Sequence, residues 1–194
     1  MILFLVGLLV FFGLHFFSAV RSRADGQDLR EELGQGPYMG LYSLVSLVGF
    51  GLIVYGFGEA RAEGYGALYS PPVWMRHLNL LLMVPALILL VASQLPAGRI
   101  KKRTKHPMLL AVKIWAIGHI LSNGEVVSLI LFGSFLAYAV FDRIMVKKRG
   151  DNGPGSDVAL APVMDIVSVL VGLGLWAALA FWLHPILFGV AVIG

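Results

Sequence analysis

Six windows of the chain stay apolar for long enough to cross a lipid bilayer as helices: residues 2–20, 39–57, 77–95, 107–122, 126–146 and 162–183. A spanning helix needs about 20 predominantly apolar residues, because each residue adds only ~1.5 Å against a hydrocarbon core of ~30 Å. Polar residues fall in short runs between the windows. The pattern therefore predicts an all-α, polytopic membrane bundle of about six helices, one domain over residues 1–194 without a soluble part. The fourth window is the shortest, and Asn123 and Gly124 predict a tight hairpin turn into the fifth. A short interfacial helix is expected around residues 27–33. The glycine- and proline-rich stretch 150–161 reads as a flexible connector. After His184 and Pro185 the apolar tail is too short to span, and is expected to extend the sixth helix or to lie at the interface. The first window has no basic stretch ahead of it and is followed by Arg21 and Arg23, so it reads as a retained span rather than a signal peptide.

Composition agrees with lipid. Charged residues make up 13% of the chain and hydrophobic ones 58%, with a mean hydropathy of +0.84, whereas soluble domains carry about 25% charged residues. The net charge of +4 is no pointer to nucleic acid, since the cations sit in clusters beside apolar windows. Arg21, Arg23 and Arg30 follow the first window. Arg99, Lys101, Lys102, Arg103 and Lys105 follow the third, and Arg143, Lys147, Lys148 and Arg149 end the fifth. Against those twelve, only Arg61 and Arg76 fall on the other side, with Lys113 inside a window. Loops rich in Lys and Arg stay cytoplasmic, so both termini are expected on the non-cytoplasmic side. The chain has no cysteine, which excludes disulfides, thiolate ligation of haem, iron–sulfur clusters and cysteine nucleophiles.

Ionisable groups within apolar windows are costly and mark candidate sites. His15 lies in the first window with Phe11 and Ala19 on its face. His119 lies in the fourth, sharing a face with Trp115 and Asn123. Two neutral imidazoles on different helices can ligate a six-coordinate haem iron. Each can equally be a structural histidine bonded to a neighbouring helix. His106 and His119 cannot share a metal, being roughly 20 Å apart along one helix and about 220° apart around it. His106 reads as a helix-start residue at the basic edge. His77 and His184 are interfacial and stand as reserve ligands. Lys113 is expected to snorkel, or to pair with Asp142 or Asp165, or with a haem propionate. The window limits place His15 some 7–8 Å from the cytoplasmic border and His119 about 18 Å from it. Ligands of one haem need nearly equal depth, so without tilt to close that gap His119 pairs more naturally with His77 or His184.

The segments HPMLLAVKIWAIGHILSNG, RHLNLLLMVPALILLVAS and LHFFSAVR resemble the NnrU family, over nearly the whole chain. That family is named after a bacterial membrane protein linked to nitrite and nitric oxide reduction, and is related to plant 15-cis-zeta-carotene isomerase, whose haem b is held by two histidines. The resemblance implies a bacterial inner-membrane protein, haem b bound by His15 and His119 with Trp115 and Lys113 nearby, and a denitrification-linked or isomerase-like role. It also implies partners among denitrification enzymes or a hydrophobic small molecule. The isomerase has a cysteine where this chain has Ala116, so a switch from histidine to thiolate is impossible here. A haem-free accessory or assembly factor is the alternative. Lys105-His106-Pro107-Met108 also resembles the start of an element in isoprenylcysteine-type membrane methyltransferases, although its tyrosine is missing and Glu125 is the only acidic residue near.

Overall fold

The computed structural model describes residues 1–24 and 28–193. It is 76% helix and, among the described residues, has no strand. The first window forms α1 (Ile2–Val20), and the second extends at both ends into α3 (Gln35–Glu63). The third forms α4 (Val73–Gln94), the fourth α6 (Pro107–Ser122), the fifth α7 (Val126–Lys148) and the sixth α8 (Val163–Ala178). Two short helices lie between them, α2 (Leu29–Glu32) and the unexpected basic α5 (Arg99–Thr104). Asp28 caps α2 by accepting the Arg30 N–H at 2.9 Å, while Gln27 of the expected interfacial helix lies outside the described residues.

Five helices are long and apolar enough to span: α1, α3, α4, α7 and the continuous run Val163–Phe188. The sixth expected span, α6, has 16 residues and so a length of ~24 Å. Its start is fixed by Pro107 in the first turn, where the missing N–H would have had no partner. The tail continues the last span: a π turn (Leu179–Leu183) leads into α9 (His184–Phe188). Pro185 explains the widened turn, because its ring cannot sit under the carbonyl four residues back.

The long helices pack as a row. α3 lies on α1, α1 on α7, α7 on α6, α6 on α4 and α4 on α8. α1 and α3 approach closely at glycines, since a Cβ on Gly7 would stand 2.6 Å from the Ile53 nitrogen and one on Gly56 would run into the Phe4 nitrogen. Beside that contact Phe4, Leu8, Phe12, Ile53, Ala60 and Val127 form the buried core. At α4–α8, the Trp176 indole donates to the Leu80 carbonyl at 2.9 Å, next to the carbonyl that Pro85 leaves without a donor.

Charge separates between the ends. At one end Arg149 donates to the Ala19 carbonyl at 2.6 Å, and the Lys101 ammonium donates to the Ser93 and Leu95 carbonyls, each at 2.9 Å. Cations thus serve the terminal carbonyls of α1 and α4. At the other end the Met1 ammonium meets Glu63 at 3.1 Å and Arg61 meets Glu125 at 2.7 Å. There residues 66–68 and 124–126 bond to one another (Leu68 N–H to Gly124 O 2.8 Å, Val126 N–H to Gly66 O 3.1 Å).

Candidate functional site

The central histidines are built the same way. On α1, the His15 Nδ1 lies 2.7 Å from the Phe11 carbonyl oxygen. On α6, the His119 Nδ1 lies 2.9 Å from the Trp115 carbonyl oxygen. A nitrogen facing a carbonyl carries the proton, so each ring keeps the lone pair on Nε2. Metal-bound histidines are commonly oriented by such a bond, and a half-buried helical imidazole satisfies itself by the same one.

Aromatic rings surround both. His15 stacks on Phe11 with centroids 4.1 Å apart and meets Tyr42 of α3 and Tyr138 of α7, each at 5.5 Å. His119 stacks on Phe132 of α7 at 4.6 Å and lies 5.2 Å from Trp115. A continuous seam joins them: Phe11 touches Phe135 at 5.9 Å, and Phe135 touches Trp115 at 5.3 Å. Three rings therefore separate the two imidazoles along this path.

Helix α7 measures their depth. His15 lies against Tyr138 and His119 against Phe132, six residues apart on α7 and so ~9 Å along its axis. Axial ligands of one iron need donor nitrogens only about 4 Å apart, by analogy with zinc–nitrogen bonds of ~2 Å. As packed, His15 and His119 meet α7 at positions six residues apart.

The other imidazoles lie towards the ends. His106 donates from Nε2 to the Asp151 carbonyl at 3.2 Å at the basic end. His184 has its Nδ1 2.7 Å from the Val190 carbonyl oxygen and is within electrostatic reach of His119. His77 is exposed near the start of α4. Among the described residues, no group of three or more His, Asp or Glu is arranged to hold a metal ion.

Lys113 pairs with neither expected aspartate. Asp142 faces Arg149 at 3.8 Å, and Asp165 accepts the Arg99 and Ile100 N–H groups at 2.8 and 2.9 Å. Both carboxylates serve helix ends at the basic side. Arg143 is a like-charged neighbour of Lys113. Trp115 packs edge-on against Phe132 at 4.9 Å and forms the expected wall beside His119. Asn123 donates to the His119 carbonyl at 2.8 Å.

The sequence reading missed Asn79, Tyr42 and Tyr138. Asn79 donates to Ser122 at 2.8 Å across α4–α6, and its Oδ1 is buried without a partner. A lone amide inside an apolar window was the signal available. The two tyrosines carried none, because only packing brings α3 and α7 against His15. His106 and Glu125 stand at opposite ends of α6, too far apart to form one methyltransferase-type site.

The family model described as NnrU protein matches residues 3–192. The chain belongs to the NnrU family. Neither the curated proteins nor the solved structures include a match. His15, Lys113, Trp115 and His119 all fall inside the NnrU match, as do the seam residues Phe11, Phe132, Phe135 and Tyr138.

Proposed function

We propose that this NnrU-family protein works within the bacterial inner membrane as a haem-free accessory or assembly component of denitrification-linked nitrogen-oxide metabolism. Its imidazoles act as packing elements of the bundle. The ring seam carries this reading: successive contacts through Phe11, Phe135 and Trp115 link His15 to His119, and each imidazole is satisfied within its own helix by a carbonyl. Family membership supports the metabolic setting, and five apolar helices of spanning length support the bilayer.

A second reading is haem b binding, with isomerase-like chemistry on a hydrophobic small molecule. What favours it is the matched pair of carbonyl-oriented imidazoles, each keeping the Nε2 lone pair. His15 and His119 would be the ligands, with Trp115 and Lys113 beside them, and the seam would have to repack. An absorption spectrum of the detergent-purified chain from haem-replete cells separates the readings. The expected result is a featureless visible region. A Soret band with sharp α and β bands on reduction would overturn the first reading. It would establish the second if His15→Ala and His119→Ala abolish it or turn it high-spin while His106→Ala keeps it.

A further inference from the structure

At the basic end, where α1 and α3 meet α2, a hollow of about 380 Å³ is lined by Ser18, Arg21, Arg23, Asp28, Arg30 and Tyr38, with Met39 and Tyr42 completing its wall. Three guanidiniums share it with one carboxylate. Asp28 is committed to Arg21, whose side chain is 9% exposed and whose guanidinium carbon lies 5.2 Å from the centre of the Tyr38 ring. Among the described residues Arg23 donates to the Ser18 carbonyl, at 3.5 Å. The Arg21 Nε and the Tyr38 hydroxyl are buried without a hydrogen-bond partner. Burial first, and then the charges of Arg149 and Arg21, pull Arg23 below the usual arginine range. Among its described lining residues the hollow thus sets three guanidiniums against one carboxylate, with unspent donors in a concave place.

Its surroundings say what kind of anion it takes. Beside Arg21 the last turn of α1 offers an apolar strip of Phe17 and Val20, which are 44% and 55% exposed, and Met39 of the lining is 46% exposed. A soluble anion has no use for such a strip, whereas a phosphate carrying acyl chains would place the chains along it. Basic pockets between helices at the membrane surface take acidic headgroups in this way.

We propose that this hollow binds the phosphate of an acidic membrane phospholipid, through Arg21, Arg23 and Arg30 with the Tyr38 hydroxyl. Arg21 and Asp28 form the fixed wall. Arg23 and Arg30 are the adjustable donors, because neither is paired to a carboxylate among the described residues.

The test is native mass spectrometry of the delipidated full chain in detergent, titrated with phosphatidylglycerol, with phosphatidylcholine and with inorganic phosphate. Phosphatidylglycerol should be retained in preference to phosphatidylcholine, and inorganic phosphate should not displace it. The double variant R23Q/R30Q removes two exposed or half-exposed cations without disturbing the Arg21–Asp28 pair. It should weaken phosphatidylglycerol retention by about tenfold or more, at roughly 1 kcal/mol for each cation near a membrane surface. R76Q, at the opposite end, should leave retention unchanged. Equal retention of the two lipids, or an unaffected double variant with wild-type circular dichroism, would overturn the proposal. Displacement by inorganic phosphate at comparable concentration would assign the site to a soluble anion instead.

Discussion

Glu125 shows how a single residue joins two elements at the end of the bundle opposite the basic clusters. It precedes α7, and its two carboxylate oxygens meet the Arg61 guanidinium at 2.7 and 2.9 Å. The Arg61 hydrogen bond is the main cause holding its carboxyl below the ordinary glutamate value of 4.5. The Arg61 charge and the Ser128 hydroxyl, at 3.2 Å, add to it against the cost of burial. A depressed carboxyl pKa contributes stability that is fully present above the unfolded value and is lost as pH falls through the folded one. The side chains are 35% and 43% exposed, so solvent keeps the contribution to ~0.2–1 kcal/mol. Glu125→Gln should therefore lower the midpoint of thermal unfolding in detergent slightly at pH 7, and the gap to wild type should narrow below pH 4.5. A gap that widens in acid would contradict the pairing. At this scale the sequence marked His15 and His119 as unusual, since both stand in apolar windows. The chain of ring contacts that links them through Phe11, Phe135 and Trp115 was not legible, because residues 135 and 115 meet only when α6 and α7 pack.

Among the elements, α1 and α3 depend on glycine for their approach. In a bilayer no hydrophobic effect drives helices together, so close backbone packing supplies much of the association. A Cβ at Gly56 meets backbone atoms of Phe4 and Leu3, and backbone cannot swing aside as a flexible side chain would. Gly56→Ala should separate the helices and cost about 1–3 kcal/mol. Gly51 and Gly58 lie on the same helix, and a methyl group added at either would have nothing within 4 Å. Alanine there should be neutral or slightly stabilising, because it is the better helix former. Unfolding of the three variants in mixed micelles checks this, and equal losses at all three positions would refute the close approach. The element pattern itself was largely readable. Each of the six windows became a helix, while α3 overran its window at both ends through residues of mixed polarity. α5 was invisible to a hydropathy reading because four of the six residues of RIKKRT are basic.

For the whole molecule, the polarity of the two ends governs insertion. Arg149 on Ala19, Lys101 on the end of α4 and Asp165 on α5 place the three basic clusters on one side. The Met1–Glu63 and Arg61–Glu125 pairs close the other. The positive-inside rule then predicts that a reporter fused at Asp151 behaves as cytoplasmic and one fused after residue 194 as external. The reverse pattern would invert the orientation and move the acidic-lipid site to the outer leaflet.

The sequence by itself determined the helical class and the membrane setting, because both follow from local quantities: the length of each apolar run and the scarcity of charge. It also marked the few residues worth testing as chemistry, since an imidazole or an ammonium in a 20-residue apolar window is conspicuous without any fold. Only the tertiary structure decided which of them meet. Depth along a helix can be counted from the sequence, but azimuth and neighbour cannot. The contact of Phe135 with Trp115, the diversion of Asp142 and Asp165 away from Lys113, and the gathering of Arg21, Arg23 and Arg30 around one hollow all arise from how helices are placed against each other.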